Sequence, residues 1–405
     1  MFKSDVLIVG GGMVGASLAL LLKPLAQQGA SIAMVESHAI QDDHAALSQP
    51  SFDARTSALS EGSARHLQHM GVWASLQPHA NPIEHIQVSQ QGKFGRVQLH
   101  ADETGVSQFG YVAENRHIGQ ALWQPLRDAD WLTLFAPAQV QGISASAEGY
   151  RLQIQTAAGV QEHHTRLLVL ADGARSALAR QLGVHYQNTD YRQHALVSNI
   201  SFDRPHGHWA HERFTAQGPM ALLPLTHNRY GLVWCMASDR AAQVSTLDDT
   251  QFRDALQAEL GYGLGRINKV GQRGSYPLML SIASEQARPG LVLLGNAAHS
   301  LHPVAGQGFN LSLRDCVALA AQISAVWPQP GAMRLPDYPV QQLADQQFTT
   351  AISHWLPESF VAGSPWPSPL RSAAMTAFDL SSLSKRLFAR RAMGLSGPGK
   401  TWSWK

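Results

Sequence analysis

The chain has 405 residues, 44% of them hydrophobic and 15% charged, enough to bury a large core and too apolar for wholesale disorder. Its 31 lysines and arginines stand against 29 aspartates and glutamates, a balance that argues against a nucleic-acid binder. The two cysteines, Cys235 and Cys316, lie far apart and outside any C-x-x-C pair, which argues against a disulfide framework and a zinc site. Free buried thiols fit a reducing, cytoplasmic setting. No run of about 18 apolar residues predicts a transmembrane helix, and the first apolar run is too short for a signal peptide.

In chain order, Val6-Leu7-Ile8-Val9 reads as a buried parallel strand. Gly10 to Gly12 follow it, then a helical stretch from Met13 to Leu20, then a second strand from Ser31 to Glu36. This is a βαβ unit. Leu167–Leu170 and Leu291–Leu294 have the same buried character, each followed by a glycine-bearing turn. Between them the pattern changes to period two, as in Gly231-Leu232-Val233-Trp234-Cys235-Met236, which predicts an inserted antiparallel sheet. After about residue 335 the pattern is helical and amphipathic. The fold class that follows is α/β: a Rossmann-like domain (1–75, 101–185 and 285–335), an inserted antiparallel-sheet substrate domain (76–100 and 186–284) and a C-terminal helical region (336–405).

Three motifs carry chemistry. The first is Gly10-Gly11-Gly12-Met13-Val14-Gly15, between strand and helix. Gly10 permits the tight turn, Gly12 lets backbone approach a pyrophosphate, and Gly15 lets helix and strand pack closely. The phosphates would sit on the helix N-terminus, where free N–H groups and the dipole favour negative charge. Glu36 ends the second strand, where a carboxylate can accept from ribose hydroxyls. The second motif is Ala171-Asp172-Gly173-Ala174-Arg175-Ser176. The third runs from Gly295-Asn296 through His299, His302, Pro303, Gly306 and Gly308 to Phe309-Asn310. Pro303 stiffens that turn, and Gly306 and Gly308 leave a helix start free to aim N–H groups at an electron-rich edge.

In this order the motifs resemble the flavoprotein hydroxylases of the p-hydroxybenzoate hydroxylase fold. Within that fold the chain resembles the ubiquinone-biosynthesis hydroxylases, above all the 2-polyprenyl-6-methoxyphenol hydroxylase type. Phe52-Asp53-Ala54-Arg55-Thr56-Ser57-Ala58-Leu59, Glu212-Arg213-Phe214-Thr215, Gly218 to Pro224 and Leu232-Val233-Trp234-Cys235 carry the closer match. Two departures stand out. Asn296 replaces the usual aspartate, and an asparagine can still accept a hydrogen bond as well as donate one. The arginine expected three residues after Ser176 is absent; Arg180 stands four after it.

The resemblance implies tightly bound FAD, held by Gly10, Gly12, Met13, Val14, Gly15, Glu36, Arg55, Arg116, Asp172, Gly173, Asn296, Pro303, Gly306, Gly308, Phe309 and Asn310. NAD(P)H would be a transient electron donor, since only one dinucleotide fingerprint is present. It implies an FAD-dependent monooxygenase that hydroxylates a 2-polyprenyl-6-methoxyphenol to the 6-methoxy-1,4-benzoquinol with dioxygen. Another ring hydroxylation of the same pathway, or an FAD-retaining structural member of a ubiquinone-synthesis complex, are the alternatives. A halogenase would need a lysine-bearing W-x-W-x-I-P segment, and Pro365-Trp366 lacks it. Phe214, Leu222, Leu223, Pro224 and Trp234 are the candidates for the substrate cavity. His299 and His302, beside a glycine turn, read as structural; no metal site and no acid–base residue is assigned, the chemistry being flavin-centred. The tail from Leu380 to Lys405 carries Lys385, Arg386, Arg390, Arg391, Lys400 and Lys405 and no acid. With Leu383, Leu387 and Phe388 at helical spacing, it suits the surface of the inner membrane or a ubiquinone-biosynthesis partner, or else packs its apolar side on the FAD domain.

Overall fold

A computed structural model describes residues 2–40, 53, 55–174, 176–360 and 368–395. Phe52, Ala54, Arg175, Pro365, Trp366, Lys400 and Lys405 lie outside the described residues.

The first strand, Phe2–Val9, sits at the centre of an eight-stranded sheet. It pairs in parallel with Ile32–Val35 on one side and Gly159–Leu170 on the other, with Val6 opposite both Ile32 and Leu167. Leu132–Phe135 and Leu291–Leu293 extend the parallel run outward. The strand is apolar without alternation because both its faces are covered. Val6 and Ile8 pack with residues of the helices Met13–Gln27, Asn115–Trp123 and Gln307–Val326. Leu7 and Val9 pack under Tyr150, Leu152 and Ile154 of an antiparallel meander, Gln139–Ser146 and Gly149–Thr156, that runs into Gly159–Leu170.

A nine-stranded sheet forms the second layer. It is built from His85–Gln90, Arg96–His100 and the strands between Tyr186 and Ala283, with His299–Ser300 added at one end. It departs from the antiparallel expectation at one junction, where Trp209–Phe214 runs parallel to His85–Gln90. The physical reason is topological. The hairpin of 85–100 and the later meander reach the sheet from separate passes of the chain, so no tight turn imposes antiparallel pairing there. Thr56–Ser60, Gly110–Glu114 and Asn81–Ile83 form a third, small sheet.

The period-two pattern gives the nine-stranded sheet two different faces. Met220, Leu222, Leu232 and Trp234 point to one side, where they form a core with Phe252 and Leu256 of the helix Asp249–Leu260. Ala221, Leu223 and Val233 point to the other side, which is not packed solid. The C-terminal helices Asp337–Phe360, Ser368–Leu380 and Ser382–Ala392 cover that side. They are tied down by polar contacts. Arg314 Nε donates to Asp345 Oδ2 at 2.6 Å, Gln98 N to Asp379 Oδ1 at 2.7 Å, and Lys385 Nζ to Gln98 O at 3.1 Å. Among the described residues no helix is long and apolar enough to cross a membrane.

Candidate functional site

The glycine loop is built as the spacing requires. Gly10 has φ +103°, and a Cβ there would meet Ala171 O at 2.4 Å. A Cβ on Gly15 would lie 1.9 Å from Gly10 O, so the helix can dock on the turn only without a side chain. Gly12 caps the helix Met13–Gln27 in an extended conformation. Glu36 is 5% exposed, and its Oε2 accepts from Gly11 N at 2.7 Å while Oε1 accepts from His38 N at 2.8 Å. One member of this cradle carries no sequence signal: the buried Trp123 donates from Nε1 to Gly11 O at 2.9 Å and closes the loop from behind.

The other anticipated cofactor residues are placed as follows. Asp172 accepts from Ser176 Oγ at 2.8 Å, and Ser176 caps the short helix Ala177–Gln181. Gly173 has φ +90° with open space where a Cβ would stand. Arg55 donates from Nε to Asp53 Oδ2 at 2.6 Å, and its guanidinium lies 4.7 Å from the centre of the Tyr276 ring. Arg116 pairs with the buried Glu114, which also takes Arg229 Nη1 at 2.7 Å. Both arginines anticipated as phosphate or flavin contacts are therefore already engaged with carboxylates, and contact with a cofactor would have to be shared with these pairs.

The third motif forms a loop and a helix start. Gly295 has φ +62°, and Asn296 is exposed beside it. Pro303 leads a single tight turn into Gly306, whose φ of +58° makes it the cap of the helix Gln307–Val326. The first N–H groups of a helix have no partner within it and point out of its N-terminus, here at Gly308, Phe309 and Asn310. A Cβ on Gly308 would meet nothing within 4 Å. The side chain of Asn310 is a clamp: it accepts from Ser60 N at 2.8 Å and donates to Ala58 O at 2.8 Å and Gly306 O at 2.9 Å. It thereby fixes the helix start against the strand Thr56–Ser60. His299 is buried on Asp315 at 2.7 Å. Burial pulls His302 down to about 4, so it is neutral at pH 7.

Beside this loop opens an apolar cavity of about 870 Å³. Pro303, Val304, Gly306 and Gln307 form one wall, the sheet face with Ala221, Leu223 and Val233 another, and Phe348, Ile352, Leu356, Phe360, Met375 and Phe378 of the C-terminal helices a third. Of the five residues anticipated in the cavity, Leu223 lines it. Leu222 and Trp234 point to the opposite sheet face, with Pro224 on the parity of Leu222; Phe214 shares the parity of Glu212 on the cavity side, but its ring stacks 4.2 Å from that of the lining residue Phe360 and is not itself part of the lining. Alternation along the strands decides this for Leu222, Pro224 and Trp234: neighbours in sequence cannot share a face. The helical wall was not legible in the sequence, which predicted a membrane-facing or FAD-domain-packed tail. In the helix Ser382–Ala392, Ala389 and Met393 beyond it pack inward, whereas Leu383 and Leu387 are 64% and 61% exposed.

One charged group on the sheet face stands out. Glu212 lines the cavity, its Oε1 has no hydrogen-bond partner among the described residues, and burial pushes its carboxyl up to about 8.

The comparisons fit this architecture. The sequence model of the family described as FAD binding domain matches residues 3–343. A ubiquinone hydroxylase of Rhodospirillum rubrum, UbiL, is 34% identical over 96% of this chain and 90% of its own length. The 3-demethoxyubiquinol 3-hydroxylase of Escherichia coli is 29% identical over 97% and 99%. Among solved structures, p-nitrophenol 4-monooxygenase of Pseudomonas putida superposes with a TM-score of 0.78 over 98% of this chain and 100% of its own, at 17% identity, a likeness of fold. The fold and the site define a flavoprotein monooxygenase built on one dinucleotide-binding unit and an apolar chamber. The chain belongs to the family of FAD-dependent hydroxylases that includes those of ubiquinone biosynthesis, and its cofactor is FAD.

Proposed function

We propose that this enzyme hydroxylates the ring of a prenylated phenol on the way to ubiquinone, and that its substrate is a 2-polyprenyl-6-methoxyphenol, converted to the 6-methoxy-1,4-benzoquinol. The observation that carries the reading is the cavity: about 870 Å³, apolar, bounded by the Pro303–Gln307 loop at one wall and by helices bearing exposed leucines at another. A chamber of that size accepts a methoxyphenol ring and the first isoprene units. FAD, reduced by NAD(P)H, would supply the activation of dioxygen. The protein's share is to bind and to exclude water. The glycine loop, Glu36 and Asp172 would hold the dinucleotide, and the N–H groups at Gly308–Asn310 would stabilise negative charge growing at their end of the ring system. The apolar walls would keep water from the reacting ring.

The test is turnover. FAD-loaded enzyme with NADH or NADPH and a short-chain 2-prenyl-6-methoxyphenol is expected to consume dioxygen and give a product heavier by one oxygen atom. Reductant consumption that ignores the phenol would reject the reading and favour a structural role. The name of the Escherichia coli relative favours a second reading, hydroxylation at another ring position; the position of the new oxygen, read by NMR, separates the two.

The exposed leucines motivate a second expectation. Leu380, Leu383 and Leu387 stand 81%, 64% and 61% exposed beside the exposed Arg386 and Arg390, and Leu370 and Phe388 line the cavity from the same helices. This suits a surface that rests on anionic lipid while the prenyl tail passes in, each cation contributing about 1 kcal/mol. Lys385 and Arg391 contribute less, being engaged with Gln98 O and with the Phe348 ring at 3.9 Å. The enzyme is expected to co-sediment with anionic vesicles at low salt, and Arg386→Glu with Arg390→Glu to lose most of that binding. Equal sedimentation of both proteins would count against the lipid surface.

A further inference from the structure

The sheet wall of the cavity is a cross-strand row. In register, Val97 lies opposite Val88, Val88 beside Glu212, Glu212 opposite Ala221, and Ala221 opposite Val233. Residues paired in this way point to the same face, and all five line the cavity. Four are small and apolar; the central one is a glutamate whose Oε1 is shielded from solvent and has no partner among the described residues. An unpaired carboxyl in an apolar chamber is costly to the folded protein, and it is tolerable where an incoming group completes its hydrogen bonds.

The other charged side chains on the cavity each have a partner elsewhere, although Arg314 Nη1 and Arg371 Nε find none among the described residues. Arg314 serves Asp345 and Thr349, Arg371 donates to Ser359 O, and Arg391 lies over the Phe348 ring. They belong to helices and not to the cross-strand row. His211 also borders the cavity, but as the chain neighbour of Glu212 it has the opposite parity, and its ring stacks with that of Trp209.

We propose that Glu212 is the polar anchor of the substrate ring, hydrogen-bonding the ring hydroxyl and so fixing which ring carbon meets the wall formed by Pro303 to Gln307. This rests on the reading of the substrate as a phenol. A protonated carboxyl donates to the hydroxyl oxygen and accepts its proton through the carbonyl oxygen; an amide of the same shape does both as well. The anchor works by geometry and needs no charge.

The experiment compares two ligands that differ by the hydroxyl alone, 2-prenyl-6-methoxyphenol and 1-methoxy-3-prenylbenzene, titrated into the FAD-loaded enzyme and followed by the flavin absorbance. Wild type is expected to prefer the phenol by about tenfold or more, because a site built to bond a hydroxyl discriminates strongly against its absence. Glu212→Ala and Glu212→Leu are expected to erase the preference while binding the hydroxyl-free ligand at least as well as wild type. Glu212→Gln, which keeps shape and hydrogen bonding, is expected to retain most of it, and serves as the folded control. Persistence of the full preference in Glu212→Ala and Glu212→Leu would overturn the anchor and leave the phenol hydroxylase standing. A wild type with no preference for the phenol would overturn both.

Discussion

Gly15→Ala is expected to destabilise the protein by about 3 kcal/mol and to release FAD, because the added methyl must displace the turn proposed to carry the cofactor. Its Cβ would stand 1.9 Å from Gly10 O, and that oxygen belongs to a turn held by Gly10 N on Val35 O at 2.9 Å. Backbone cannot give way there without opening the junction of strand and helix. Gly308→Leu makes the contrast. Nothing lies within 4 Å of a Cβ at Gly308, and a helix gains up to about 1 kcal/mol when glycine is replaced by a better helix former. The Gly308 variant is therefore expected to melt at or above the wild-type temperature without FAD, and to lose the upward shift that added FAD gives by linkage. Melting curves with and without FAD for the two variants check both halves. A Gly308→Leu protein that FAD stabilises as strongly as wild type would show that this helix start does not border the cofactor.

The second large effect is expected at Asn310. Its amide answers three backbone groups on two segments, Ser60 N, Ala58 O and Gly306 O, from a position only 1% exposed. Asn310→Leu leaves all three without that partner, and each unmet group costs about 1–3 kcal/mol when water cannot reach it, so a loss of about 3 kcal/mol or more is expected. Asn310→Asp keeps the acceptor for Ser60 N but loses both donations and sets a carboxylate against two carbonyl oxygens, so it is expected to fare little better. Urea unfolding midpoints measure the loss. Because the clamp joins the loop proposed to border the flavin to the strand Thr56–Ser60, flavin content is expected to fall with stability. A variant that keeps both would show that the loop holds its shape without the amide.

The local framework was legible in the sequence, for a simple reason. A short apolar strand, three spaced glycines, a helix and a terminal acid are contiguous, and the constraints that demand them act over a few residues. Gly10 and Gly15 are required by the turn they form, whatever the rest of the chain does. The same holds for the period-two run from Gly231 to Met236, which lies in the strand Arg229–Ala237. What alternation cannot say is which face is covered by what. Leu222 and Leu223 are equally apolar in sequence, yet the helix Asp249–Leu260 covers the side that Leu222 faces, and the cavity lies on the other. Trp123 behind Gly11, the clamp of Asn310 on Ser60, and the row that isolates Glu212 all join residues far apart in the chain. The tail shows the same division. Its helices were legible from their period, but the period is silent about which neighbour each helix meets. The sequence alone determined a dinucleotide-binding unit with a flavoprotein motif order. Only the tertiary structure decided that the C-terminal helices close an apolar chamber over it, with one carboxyl inside, because that depends on contacts between segments that no local pattern encodes.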